Sequence, residues 1–489
     1  MKFAAKKVGQ ALGLLRSFLD GRGSVRSKLP ALVLGACVSL VCGCGRTDPQ
    51  YSYREGLSPR VQEFVRTSVD QKFGTPHKIR VWDKLPLQPH TAIATVGDGS
   101  KDANLVVQLG ETHGEIQVGQ EVTWIGGSVM PVGSAPVSVK AFDKQTNVLN
   151  LLSAPALAAK PGDKIVIGPG KVLTHGRLLY AEHCQHCHGV AGDGKGPTAP
   201  YLNVRPRDYR KGLFKFTSTK EGLKAHRSDL SRVIEDGIPG TYMPSFKLLK
   251  PDEAHSLIEY VLFLSMRGET EFAMNNLLGS DYSDESVATR MKDGETEAKI
   301  LDEFVTRVKE GEIDEEVAQR TDKMIADWSA AQAAEAVIVP KEKRYLSDEE
   351  SVKRGRELYL SNNLNCVACH GESGLGDGVQ TYSVTKNTDT GKDNTEPGLY
   401  DTWGNKIKPR NLRLGMYRGG RRPIDLYARI EAGIKGTPMP AFGAKLTEQQ
   451  KWDIVNYVMQ LPHEVRTPGT GIAPLVPPAP ATPVVTTTH

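Results

Sequence analysis

Apolar and polar positions change their spacing several times along the chain, and each change marks a different element. Leu57, Val61, Phe64, Val65 and Val69 recur three and four residues apart, which predicts one amphipathic helix within 44–76, opened by Ser58-Pro59 and stopped by Gly74-Thr75-Pro76. Over 77–170 the runs shorten: 105–109, 122–125, 137–141 and 164–167 are brief apolar stretches between clusters of Gly, Asn, Asp and Pro. That pattern predicts a small β-barrel or sandwich. Helical spacing returns at 252–264 and 448–461, which places Tyr260 and Tyr457 at similar points of two helices. Between them, 269–345 holds Ile300, Phe304, Val308, Met324 and Trp328 at helical intervals, and 271–345 carries 18 acidic against 10 basic side chains. An acidic helical linker with one packed stripe and solvated charged faces is expected. The tail 466–489 is mostly Pro, Thr, Val and Ala, the composition of a disordered end.

The N-terminus speaks to compartment. Seven basic residues from Lys2 to Lys28 precede an apolar run at 29–42, the order of a secretory signal. The run is shorter than the roughly 20 residues of a spanning helix. Val41-Cys42-Gly43-Cys44 resembles a bacterial lipobox, which implies a lipoprotein signal peptide at 1–43 and a lipid on Cys44. Leu34-Gly35-Ala36-Cys37 is a second candidate with less apolar sequence ahead of it, and an ordinary cleaved signal with incidental cysteines is the other alternative. The expectation is an exported protein on the periplasmic side, held to a membrane by its N-terminal lipid. Only Asp20 opposes the basic residues of 1–43, so residues 44–489 carry 55 basic and 56 acidic side chains. A nucleic-acid partner is therefore not expected.

Of seven cysteines, Cys37, Cys42 and Cys44 fall in this leader region. The other four form Cys184-Gln185-His186-Cys187-His188 and Cys366-Val367-Ala368-Cys369-His370. Two thiols three residues apart on a helical turn can reach the two vinyl groups of one heme, and the next residue then lies beneath the ring, where its imidazole can bind the iron. Zinc held by four thiolates would leave the adjacent histidines without a role, and a dithiol redox pair would sit in a βαβ pattern that neither motif shows. Two covalently attached heme c groups are expected. His183 and His186 read as surface residues, and His77, His113, His226 and His255 have no partner pattern.

The surroundings of the two motifs repeat. Gly176-Arg177-Leu178-Leu179-Tyr180 precedes the first and Gly355-Arg356-Glu357-Leu358-Tyr359 the second. Gly192-Asp193-Gly194 is matched by letters with Gly376-Asp377-Gly378, and Pro206-Arg207 with Pro409-Arg410. The strongest repeat is Gly240-Thr241-Tyr242-Met243-Pro244 against Gly436-Thr437-Pro438-Met439-Pro440. On these residues 171–268 and 346–465 resemble class I c-type cytochrome domains. The resemblance implies a mainly α protein: two all-α domains, each with its N- and C-terminal helices packed together, joined by the helical linker and preceded by the β-rich domain. It also implies His188 with Met243 and His370 with Met439 as axial iron ligands. A proline carbonyl would accept the proximal imidazole N–H, at Pro206 and Pro409, with Pro200 an alternative in the first module.

A thioether ligand favours ferrous iron, and six ligands leave no position for substrate. The reading is a diheme cytochrome carrying single electrons in an exported respiratory-type chain, not an enzyme, either as an anchored carrier or as a subunit of a larger complex. Its partners would be a redox donor and acceptor. Two rivals remain: a diheme peroxidase, which needs one heme open on its distal side, and a structural subunit whose β-domain docks other proteins. The polar insertion at 386–403 in the second module reads as a surface loop.

Overall fold

A computed structural model describes residues 49–464 apart from 83, 114, 126–136, 346 and 388–390. The signal 1–43, the candidate lipidation sites Cys44 and Cys37, and the tail 466–489 lie outside the described residues.

Helix α1 (Pro59–Phe73) begins with Pro59 in its first turn and ends at Gly74, whose φ of 72° suits glycine. Its Val61, Val65, Val69 and Phe73 are buried at intervals of four. Six antiparallel strands come next along the chain: β1 (Ala92–Val96), β2 (Asn104–Thr112), β3 (Glu121–Ile125), β4 (Val137–Asp143), β5 (Val148–Leu151) and β6 (Lys164–Ile167). They close into a barrel in the order β1-β2-β5-β4-β3-β6, because β6 pairs with both β1 and β3. Alternate residues such as Ala92, Ala94 and Val96 of β1 point into an apolar core shared with Leu105, Leu149 and Ile165. A barrel, not a sandwich, is therefore the form of this domain.

The first repeat unit contains α2 (Lys171–His183), α3 (Gln185–His188), α4 (Arg227–Asp236) and α5 (Pro251–Tyr282). Helices α6 (Asp284–Lys292), α7 (Glu297–Lys309) and α8 (Glu312–Ala330) come after it. The second unit contains α9 (Glu349–Leu360), α10 (Cys366–His370), the hairpin β7 (Leu399–Tyr400) and β8 (Lys406–Ile407), α11 (Pro423–Ala432) and α12 (Glu448–Gln460). In each unit the first and last helices cross on a glycine. A Cβ on Gly176 would stand 2.0 Å from the Ser256 carbonyl oxygen, and one on Gly355 the same distance from that of Asp453. One turn on, Tyr180 meets Tyr260 edge to face with ring centres 5.3 Å apart, and Tyr359 meets Tyr457 at the same spacing.

The units differ in what surrounds them. The helix expected at 252–264 continues to Tyr282, since Met274, Leu278 and Tyr282 extend its buried stripe. Gly268, taken as a boundary on sequence, is instead a point of close approach, where a Cβ would lie 2.4 Å from Cα of Arg210. Around this long helix, α1, α2, α7 and α8 share one apolar core, with Phe304 packed edge-on against Phe64 and Tyr282. Residues 49–76 and 269–331 are thus walls of the first unit and not free spacers, whereas 338–345 packs on the second, where Tyr345 Oη donates to Gln449 O and Arg344 to Asn456. Their acidic surplus lies outside that core, where Arg290 holds Glu295 and Glu303, and Arg307 holds Asp281, Glu312 and Glu316. Among the described residues, no helix is long and apolar enough to cross a membrane.

The glycine crossings generate a direct test. Gly176→Ala or Gly355→Ala forces a methyl against backbone that cannot rotate away, and each is expected to lower unfolding free energy by about 1–3 kcal/mol in denaturant melts of the full chain.

Candidate heme sites and the seam between them

The cysteine motifs sit on short helical turns built alike. His188 N donates to Cys184 O at 2.9 Å, so Cys184, Cys187 and His188 share one turn, and α10 carries Cys366, Cys369 and His370 in the same way. Glycines end both turns: Gly189 and Gly371 have φ of 77° and 76°. Tyr180 Oη donates to Gly189 O at 2.9 Å and Tyr359 Oη to Gly371 O at 2.6 Å, tying the residue after each histidine to the helix crossing. The loop then returns to the turn, with Gly194 N on His188 O and Gly376 N on His370 O at 2.9 and 2.8 Å. This pairing corrects the match by letters. Gly192, Gly194 and Gly196 correspond to Gly374, Gly376 and Gly378, two residues away from the Gly-Asp-Gly alignment, because backbone bonds and not letters set the register.

The methionine loops are also duplicates. Helices α4 and α11 stop at Gly237 and Gly433, after which Ile238 N donates to Met243 O and Ile434 N to Met439 O, both at 3.1 Å. The Thr241 and Thr437 hydroxyls accept from the methionine N–H groups and donate to the isoleucine carbonyls. Each loop is therefore held by its own repeat residues.

Turn and loop face each other across a cavity. Cys184, Cys187, His188 and Met243 line one of about 260 Å³, walled by Leu230, Ile234, Leu257 and Val261. Cys366, Cys369, His370 and Met439 line another of about 430 Å³, walled by Leu426, Ile430, Ile454 and Val458. Burial lowers His188 to about 4 and moves His370 in the same direction, so both imidazoles are neutral near pH 7, as iron binding requires. His188 Nδ1 lies 3.1 Å from Arg207 O and His370 Nδ1 3.3 Å from Arg410 O. A carbonyl can only accept, so Nδ1 carries the proton and Nε2 keeps its lone pair. This corrects the expected acceptors. Pro206 and Pro409 line the cavities, but their carbonyl oxygens face the Cα atoms of Gly194 and Gly376, and the next carbonyl along meets the imidazole.

Burial also pushes the thiols up, Cys184 to about 12 and Cys366 to about 11, so neither is a thiolate at neutral pH. The two cysteine pairs line separate cavities, and among the described residues no group of three or more His, Cys, Asp and Glu side chains could hold a metal ion. A shared zinc site is thereby excluded among the described residues. The donor set of each cavity, two thiols, one neutral imidazole and one thioether within apolar walls, fits heme c. His186 is exposed, while His183 tilts against Phe246 with ring centres 5.9 Å apart. His113 and His255 stack on each other at 4.7 Å, and His226 caps α4.

The cavities share a wall that sequence reasoning missed. Lys215, Phe216 and Arg418 line both. The insertion read as a surface loop ends in this seam. Asp401, whose side chain is 2% exposed, pairs with Lys215 at 3.0 Å and Arg207 at 3.9 Å. Trp403 Nε1 donates to Asp208 O at 3.1 Å, and its ring lies under the Arg207 guanidinium. Arg232 bonds Asp425 at 3.1 Å, and Lys435 donates to Thr219 Oγ1 and Leu223 O. The available signal was a tryptophan in an otherwise polar stretch.

Comparison with known proteins agrees with this geometry over both units. Residues 173–265 and 352–462 match the cytochrome c family. No curated protein matches the chain. Among solved structures it is similar to a chain of the Kuenenia stuttgartiensis reducing HAO-like protein complex, at 22% identity over 59% of this chain and 95% of that one, with a TM-score of 0.40. The two matched segments, each enclosing its own cysteine turn and methionine loop, are cytochrome c domains in tandem.

Proposed function

We propose that the protein is a diheme cytochrome c that carries single electrons, with one heme in each cavity. The observation behind this is the duplication: both cavities present two thiols, a neutral imidazole and a thioether in the same arrangement. Cys184 and Cys187 would hold one heme and Cys366 and Cys369 the other, with His188 and Met243, and His370 and Met439, as axial ligands. When bound, each heme supplies an iron that gains or loses one electron. The chain holds its own part of the site ready: Arg207 O and Arg410 O orient the imidazoles, and the Thr241 and Thr437 hydroxyls brace the methionine loops. A thioether opposite an imidazole favours the reduced state and occupies the position a substrate would need, which supports a carrier rather than a catalyst.

The location completes the proposal. A basic leader, an apolar run and Cys44 support export and lipid anchoring on the periplasmic side, with a redox donor and acceptor, or neighbouring subunits of a respiratory complex, as partners.

Three outcomes are expected. The purified full chain should bind two hemes, both low-spin with the methionine–iron absorption band, and should not turn over peroxide; one high-spin resting heme with peroxide turnover would replace the carrier by a peroxidase. Met243→His and Met439→His should each lower one midpoint potential in a redox titration and leave the other within error, since imidazole favours ferrous iron less than thioether. Cys44→Ala should move the protein from the membrane fraction to the soluble exported fraction, and retention on the membrane would transfer the anchor to Cys37.

A further inference from the structure

Two charged side chains at the seam belong to both cavities. Arg418, from the second domain, reaches the wall of the first cavity, and Lys215, from the first domain, reaches the wall of the second. The charge around them is one-sided. Arg205, Arg207, Lys215 and Arg418 line the first cavity with Asp229 as the only carboxylate among its lining residues. Lys215, Lys408, Arg410, Arg418 and Arg429 line the second, whose lining residues include no carboxylate at all.

The acids nearby are already committed. Asp229 accepts from Ser218 N, His226 N and Arg232, while Asp401 serves both Lys215 and Arg207. Arg418 Nε is closed off from solvent and has no hydrogen-bond partner. Arg429, 9% exposed, gives one N–H to Gly420 O, faces Phe216 and feels the charge of Asp425, which already accepts from Arg232 and Arg422. Withdrawing a cation from water is costly unless an opposing charge meets it. A seam whose two cavities are lined by many more cations than carboxylates is built for anionic groups that arrive with the occupants.

Heme brings such groups, since each carries two propionate carboxylates. We propose that Lys215 and Arg418 form a carboxylate-binding bridge that pairs with propionates of both hemes, so that one pair of cations sets the electrostatics of both redox centres. The inference rests on the diheme reading and goes beyond it, because it couples two sites through side chains each domain lends to the other. A positive charge near an iron favours the less positive, reduced state, so the bridge raises both potentials.

The test is a redox titration of heme-loaded full chain at fixed pH and salt, with hemes per chain and the methionine–iron band recorded for every variant. Arg418→Gln should keep two hemes and lower both potentials, while Arg418→Lys should stay close to the unsubstituted protein. Arg205→Gln, lining only the first cavity, and Lys408→Gln, lining only the second, should each move a single component and so identify which is which. A shift of one component, or of neither, in Arg418→Gln with two hemes bound would overturn the bridge. Should Arg418→Gln not accumulate as folded protein, Lys215→Gln read in the same way decides. Fewer than two hemes in the unsubstituted protein would instead remove the diheme reading itself.

Discussion

Everything in each domain hangs on one backbone contact, the crossing where Gly176 meets Ser256 O and Gly355 meets Asp453 O. The absence of a side chain lets two helices touch at their backbones. That closeness brings Tyr180 onto Tyr260 and Tyr359 onto Tyr457, and it sets the height at which the tyrosine hydroxyls reach Gly189 O and Gly371 O. Those carbonyls belong to the residues directly after the proximal histidines. A steric allowance at the helix crossing thus helps decide where the imidazole stands, and the methionine loop opposite is braced separately by its own threonine.

Around this shared plan the two domains are stabilised differently. In the first, α5 is enclosed by α1, α2, α7 and α8 so fully that Glu259, Arg267 and Glu271 are buried within it. They are compensated locally: Glu259 by Arg227, and Arg267 by Glu271 and by the faces of Tyr51 and Tyr53. Among the described residues the second domain has no added helices of this kind. Its last helix is closed by Asp453, which accepts from Arg354, Ser351 Oγ and Tyr345 Oη, and the seam with the first domain covers another face. One domain is supported by added helices and the other by its neighbour.

How much of this was legible depends on how local each signal is. The cysteine turns are set by covalent spacing within five residues, and the methionine loops by a repeated Gly-Thr-x-Met-Pro frame, so both could be read without a structure. Assigning Pro206 and Pro409 as acceptors missed by one residue, because peptide orientation is decided by the contact with Gly194 and Gly376 and not by residue type. The length of α5 was hidden because Gly268 resembles a stop until Arg210 is seen against it. Trp403 and Asp401 gave little warning of the seam, since their partners Arg207, Asp208 and Lys215 lie almost two hundred residues away. Barrel closure likewise rests on β6 pairing with two strands at once, which no local alternation reveals.

That closure bears on how the barrel can meet other proteins. With β6 bonded on both sides, every described strand has a neighbour on each side, and much of the backbone of the ring is paired within it. Along the paired stretches, extension by an incoming strand, a common means by which β-domains recruit extended peptides or copies of themselves, would have to displace a ladder already formed. Along those stretches the surface left for contact is that of the loops and outward-facing side chains, which can diversify without disturbing the ring beneath them.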